Sequence, residues 1–277
     1  MSKPARTPGG RGTHLWAACL LAAAGHAQAG CSRPIDVPMA PIGLSVGFDA
    51  GDRATGLYPT LLRELAASTG CDFQIRRVPR ARLQKLFETA RADLLMPASA
   101  SPSRDGDGEF VPLIQVRTSL ITLTHDRPPP RSLAELIALP DYKVAVVRGF
   151  SFGAAYDNAV AALRARKRLV EEADAHGVAR ALRLGMAQAT VMSASIFVGT
   201  LVTDTELAPL LKQARVDALE ELGWSESGLY LSRHTLSDED RRVLRQAFVQ
   251  AAKSGRIWQL FNEGHPPGSL AGSIRPL

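Results

Sequence analysis

Apolar and polar positions along this chain switch repeatedly between the period of a strand and the period of a helix. "PIGLSV" (41–46) alternates Ile42, Leu44 and Val46 and predicts a strand. "LYPTLLRELAASTG" (57–70) gathers Leu61, Leu62, Leu65 and Ala66 on one face, with Pro59 near its start and Gly70 as its stop, and predicts a helix. "CDFQIRRV" (71–78) predicts a second strand. "RARLQKLFETARA" (80–92) spaces Leu83, Leu86, Phe87 and Ala90 as a helix does, and "DLLMPAS" (93–99) predicts a third strand. The alternation of strand and helix indicates a parallel α/β sheet.

A second unit repeats the pattern. "SLITLTH" (119–125) predicts a strand, followed by a proline-rich linker and short helix (126–141). Strands follow in "YKVAVVRG" (142–149), "RLVEEA" (168–173) and "QATVMSAS" (188–195), with helices between them at 150–167 and 176–185. A late strand, "ESGLYLSR" (226–233), leads to a terminal stretch (236–263) in which Ser237 with Asp240 three residues on marks a helix start and Leu244, Phe248 and Ala251 line one face. These elements predict two α/β lobes joined by two crossings near residues 124 and 230. Lobe 1 comprises 30–123 and 230–277, and lobe 2 comprises 124–229. Ligand in such an arrangement binds where strand ends of both lobes face each other.

Residues 1–29 stand apart. Lys3, Arg6 and Arg11 make a basic start, Leu15 to Ala24 an apolar run, and Ala27 to Ala29 a small-x-small site. That layout predicts an export signal cleaved after Ala29, since the run is too short to span a bilayer. The net charge then changes meaning. The 33 basic residues less these three leave 30 against 27 acidic, a net charge of +3, which gives no warrant for a nucleic-acid partner. Cys19 leaves with the signal, so an oxidising compartment favours one disulfide between Cys31 and Cys71. A lipidated Cys31 is the lesser alternative, because Gln28 stands where a lipoprotein signal carries leucine or a similar residue.

Two segments carry candidate chemistry. In "MPASASPSRDGDGEFVP" (96–112) a strand runs into small residues. Ser99 and Ser101 offer hydroxyls and amides there, and Arg104 offers a planar fork for a carboxylate. The same residues also fit a surface turn whose arginine pairs with Asp105 or Asp107. In "VVRGFSFG" (146–153) Gly149 permits a tight turn, Phe150 follows, and Ser151 is placed to cap the next helix and leave amides free for an anion. A plain cap with Phe150 and Phe152 in the core fits equally. "DGDGE" lacks the glycine and glutamate spacing of an EF-type calcium loop. The chain also has no G-x-S-x-G elbow, no phosphate-binding loop and no metal-ligand spacing, so neither cofactor nor metal is expected.

Three stretches together resemble the type 2 periplasmic solute-binding proteins, close to extracellular solute-binding protein family 3, over roughly residues 38–262. They are "GLYPTLLRELAASTG", "LFETARADLLMPASASPSRDGDGEFVPLI" and "YKVAVVRGFSFG". The resemblance implies a two-lobed fold, a monomer without enzymatic activity, and a small carboxylate-bearing ligand delivered to an ABC permease or a sensor. It assigns the carboxylate to Arg104, helped by Ser99 and Ser101, with Phe150 and Ser151 contributing from the other lobe. Phe48 and Asp49 are further first-lobe candidates. The chain departs from the amino-acid binders where they place an acidic residue for the ligand's ammonium. Ser193 stands there, and Gln188 replaces a nearby aspartate, so a carboxylate, a dicarboxylate or a small polar acid fits as well as an amino acid. A few relatives of the fold are dehydratases. That alternative has only Asp49 and Glu109 as acid–base candidates. A binding module that works without a transporter is another.

Overall fold

The computed structural model describes residues 30–123 and 128–277, together with Met1, Ser2 and Ala5. The expected signal core, its cleavage site and the expected crossing at residue 124 lie outside these residues.

The first lobe begins with β1 (Ile35–Met39), which pairs in parallel with β4 (Phe73–Arg77). Between them lie the small hairpin β2 (Gly47–Phe48) and β3 (Ala54–Thr55), and then α1 (Leu57–Thr69). Helix α1 ends as expected at Gly70, whose left-handed φ of 75° returns its amide to Ala66. α2 (Arg80–Glu88), β5 (Leu94–Ser99) and a single turn, α3 (Pro102–Asp105), follow.

The first strand is not the expected "PIGLSV". Prolines on either side of 35–39 hide the true strand. Pro38 is tolerated because β1 belongs to a two-stranded sheet and needs no second ladder donor. The alternating residues 42–46 instead close a turn through an Ile42–Val46 bridge.

β6 (Gly108–Thr122) is the long spine of the molecule. Beyond it come α4 (Leu133–Ala138), β7 (Val144–Val147), α5 (Ala154–Ala165), β8 (Leu169–Glu172) and α6 (Ala175–Arg183). Next are β9 (Ala189–Ser193), α7 (Ala194–Val202), a 3₁₀ turn at Ala208–Lys212 and β10 (Arg215–Ala218). β11 (Trp224–Ser232), α8 (Asp238–Lys253), α9 (Arg256–Gly264) and β12 (Ile274–Arg275) complete the chain.

The partners of β6 change along its length. Its first part, through Arg117, pairs with β11, whereas Thr118 to Thr122 pair with β9. β10 pairs with Ser119–Thr122. The strand partners of β6 therefore change at 117/118, and the chain returns from β10 to β11 between Ala218 and Trp224. Sequence periodicity cannot mark the change, because the strand itself is unbroken. In the second lobe, Val144 and Val146 face one core while Ala145 and Val147 face the other. β7 runs parallel to β8 and β9 while β9 is antiparallel to β6, and both faces of β7 are covered, which explains its continuous apolar run.

The helix expected from Ser237 ends before Gly255, whose φ of 76° suits glycine, and a second helix, α9, follows it. The Ser237 cap forms as expected, with its hydroxyl accepting from the Asp240 amide at 3.1 Å.

The N-terminal segment is fastened three times. Cys31 and Cys71 form the expected disulfide. Asp240 accepts from the Ser32 amide and hydroxyl at 2.8 and 2.6 Å. Arg33 forms a two-pronged pair with the buried Asp93, both contacts at 2.7 Å. Burial works against the Asp93 charge. Arg33, Thr235 and the Asp36 amide outweigh it, so the carboxyl lies below its ordinary 3.8. A carboxyl with a depressed folded-state pKa stabilises fully above its unfolded value and loses that stabilisation as the pH falls through the folded one. Asp93→Asn should therefore flatten the acid limb of a denaturant-derived stability curve below about pH 4. A limb as steep as the parent's would assign the acid loss to other carboxylates.

Candidate functional site

The C-terminal ends of β5, β7 and β9 converge between the lobes. Two adjoining cavities of about 50 and about 40 Å³ lie there, and both are lined by Ile42, Pro97, Ser99, Phe152, Ile196 and Ser227. The larger adds Ser45, Tyr58, Ser193 and Ser195, and the smaller adds Arg80, Phe150 and Ser151. A groove of about 650 Å³ between α1 and α8 is larger, but it lies on one lobe away from the strand ends. We place the site in the cleft because strand ends of both lobes meet there.

The lobes are in close contact across the cleft. A Cβ added at Gly199 of α7 would lie 2.7 Å from the Leu44 amide nitrogen in the opposite lobe, and one at Gly43 would lie 2.9 Å from the Ile196 carbonyl. His265, after α9, sets Nε2 3.2 Å from the Ser195 carbonyl. Phe150 and Ile196 pack against both cores. Gly199→Val should hold the lobes apart at an overpacking cost of about 1–3 kcal/mol. That corresponds to ligand binding about 5- to 150-fold weaker. Small-angle scattering should report a larger radius of gyration for this variant, and an unchanged radius would show that helix α7 can shift to absorb the side chain.

The sequence-derived residues divide into three groups. Ser99, Phe150, Ser151 and Ser193 reach the cavity walls. Ser193 is buried, and its hydroxyl lies 2.8 Å from that of Ser195. Ser151 does not cap α5: Gly153 occupies that place, and the Ser151 hydroxyl instead donates to Asp157 at 2.9 Å. The chain runs two residues further before the helix begins, because Gly153 at φ 98° takes the turn.

Phe48 and Asp49 lie apart from both cavities. Phe48 carries the Arg77 guanidinium 5.5 Å over its ring. Asp49 is committed to its own turn, accepting from the amides of Arg53 and Gly51 and pairing with the Arg53 side chain at 2.9 Å. The Arg53 amide bond leads the causes that lower its pKa. Glu109, the other acid–base candidate, pairs with Arg245 at 3.2 Å.

Arg104 and Ser101 stand behind the wall. Ser101 gives its amide to the Tyr230 hydroxyl at 2.8 Å. Arg104, only 4% exposed, donates to the Ser99 carbonyl at 2.9 Å and to Gln84 at 3.1 Å. It pairs with neither Asp105 nor Asp107, which lie against Tyr230 and His234. Its place on the cleft surface is taken by Arg80.

Arg80 is the residue that the sequence reading missed. It opens α2, donates to the Pro97 carbonyl at 3.3 Å, and lies 5.2 Å over the Phe150 ring of the other lobe. Its Nε is buried without a partner, and it forms no ion pair among the described residues. Burial, with Arg104 adding repulsion, pushes its pKa down to about 10. The signal available in the sequence is positional. An arginine in the first turn of a helix opposes the macrodipole, and α2 has no acid in that turn to offset it. Two guanidiniums and a helix N-terminus thus raise the potential at one wall. Serine hydroxyls and aromatic rings form the rest.

No protein-family model matches the chain, and no curated protein matches it in sequence. Solved structures do match. A histidine kinase sensor domain with similarity to periplasmic binding proteins is 18% identical at a TM-score of 0.67, over 88% of this chain and 98% of that one. An amino acid ABC transporter substrate-binding protein from Streptococcus pneumoniae, bound to L-arginine, is 14% identical at 0.65, over 83% and 94%. An ancestral amino acid-binding protein, a precursor of cyclohexadienyl dehydratase, is 16% identical at 0.65, over 84% and 96%. With its spine strand, its two cores and its cleft at converging strand ends, the chain has the two-lobed α/β fold of the type 2 periplasmic binding proteins.

Proposed function

We propose that this chain is an exported solute-binding receptor that holds a small carboxylate-bearing ligand in its interlobe cleft and passes it to an ABC-type permease. The carrying observation is Arg80. It is a half-buried guanidinium at the cavity wall with a buried, unpartnered Nε and no ion pair among the described residues. A charge partly withdrawn from water in this way gains from a ligand carboxylate as its partner. Ser99, Phe150, Ser151 and Ser193 contribute from the two lobes, while Arg104 supports the wall through the Ser99 carbonyl. The disulfide supports a location outside the reducing cytoplasm. The reading is of a receptor without catalysis, because among the described residues no Asp, Glu, His or Cys lines either cavity.

The test is a thermal-shift screen of residues 30–277 against monocarboxylates, dicarboxylates and aromatic acids, with uncharged amides of the same skeletons as controls. A carboxylate at 100 times its dissociation constant stabilises by about 2.7 kcal/mol. The amides should give no shift. A screen in which the amides shift the protein as far as the acids would remove the carboxylate from the proposal.

A further inference from the structure

We infer that the cleft selects carboxylates that carry no amino group, so that its ligands are oxo, hydroxy or simple acids rather than amino acids. This rests on the receptor reading above and names the ligand class of the same site.

A bound ammonium needs a carboxylate or several free carbonyls around it, since an unpaired buried charge is strongly disfavoured. Among the described residues the cavity walls carry one formal charge, and it is positive: Arg80. Arg104 lies close enough to Arg80 to depress its pKa. An amino group one carbon from a carboxylate on Arg80 would therefore sit beside two guanidiniums and the start of α2. The candidate carboxylates stand outside the cavity walls: Asp157 accepts from Ser151, Asp105 lies 3.0 Å from the Tyr230 hydroxyl, and Asp49 is ion-paired within its turn.

The opposite wall suits an oxygen. The hydroxyls of Ser193 and Ser195 share one hydrogen bond at 2.8 Å, and two hydroxyls own two hydrogens. One hydrogen joins the pair. The other can be donated to a ketone, hydroxyl or second carboxylate oxygen of the ligand. The lone pairs that remain on the two hydroxyls could accept from an ammonium, but a neutral hydroxyl does not balance its charge.

The experiment is calorimetric titration of residues 30–277 with matched pairs of one carbon skeleton: lactate and alanine, 2-oxoisocaproate and leucine, 2-oxoglutarate and glutamate. At least one oxo or hydroxy acid should bind a hundredfold or more tightly than its amino partner. Amino acids that bind as well as their partners would overturn the selectivity and leave the carboxylate reading standing. Binding by no member of any pair, with no acid active in the wider screen, would remove both.

Ser193→Asp adds an acid to this wall and should move the preference at least tenfold towards the amino member. Ser227→Asp serves the same purpose if the first variant fails to fold. A folded variant of either kind with an unchanged ratio would also overturn the inference.

Discussion

Arg80→Met should make the free protein more stable and, on the proposed function, stop it from holding a carboxylate. The two effects have one cause. The guanidinium is partly withdrawn from water, its Nε is buried without a partner among the described residues, and a second arginine stands behind it. Replacing a poorly compensated buried charge by an apolar side chain of similar length is often stabilising, here by about 1–3 kcal/mol. In a protein of this size that raises the melting temperature by about 2–4 °C per kcal/mol. The same substitution removes the partner of a desolvated carboxylate, a loss of about 2–5 kcal/mol in binding. Scanning calorimetry of the free variant and titration with the best acid from the screen read the two effects separately. A variant that is less stable would show that Arg80 is held by contacts that outweigh its desolvation. A variant that still binds would transfer the anion to Arg104 or to backbone amides.

Removing the disulfide is the second large effect, and it concerns the fold rather than the ligand. Cys31 and Cys71 lie 40 residues apart in sequence, and the bond closes a loop containing β1, the β2–β3 hairpin and α1. Loop-closure entropy for that length gives about 4 kcal/mol of stabilisation, on the model that the bond acts by restricting the unfolded chain. The paired substitution Cys31→Ser with Cys71→Ala should therefore lower the melting temperature by about 8–16 °C. The cleft is built from other residues, so the carboxylate dissociation constant should stay within about threefold, less than 1 kcal/mol. A drop worth under about 1 kcal/mol would mean that the bonds from Ser32 to Asp240 and from Arg33 to Asp93 already hold the segment in place. A large loss of affinity would mean instead that the N-terminal clasp reaches the cleft through β1 and the Ile42 turn.

Much of the architecture was legible from the chain alone, because hydrophobic period is a local property. The helices around Leu61 and Leu83, the strands at 94–99, 144–147, 169–172 and 189–193, and the Ser237 cap all form where the pattern places them. The two-lobed fold followed from their order. The disulfide followed from the cysteine count and the export signal expected ahead of it. Three of the candidate serines, Ser99, Ser151 and Ser193, follow strand ends or close them, and strand ends are where this kind of sheet presents its ligand-facing residues.

What the sequence could not reveal depends on direction and on partners remote in the chain. Arg104 and Arg80 are both arginines beside turns, and nothing local says which one faces the cleft. That was decided by Gln84 and the Ser99 carbonyl drawing Arg104 inward, and by Phe150 of the opposite lobe standing under Arg80. The first strand was hidden by prolines, which only an edge position makes harmless. The change of lobe inside β6 is invisible to periodicity, because one unbroken strand exchanges β11 for β9 at Arg117 and Thr118. The elements were thus set by side-chain period within the chain. The positive wall of the cleft exists only once two distant segments are folded together and water is excluded from between them.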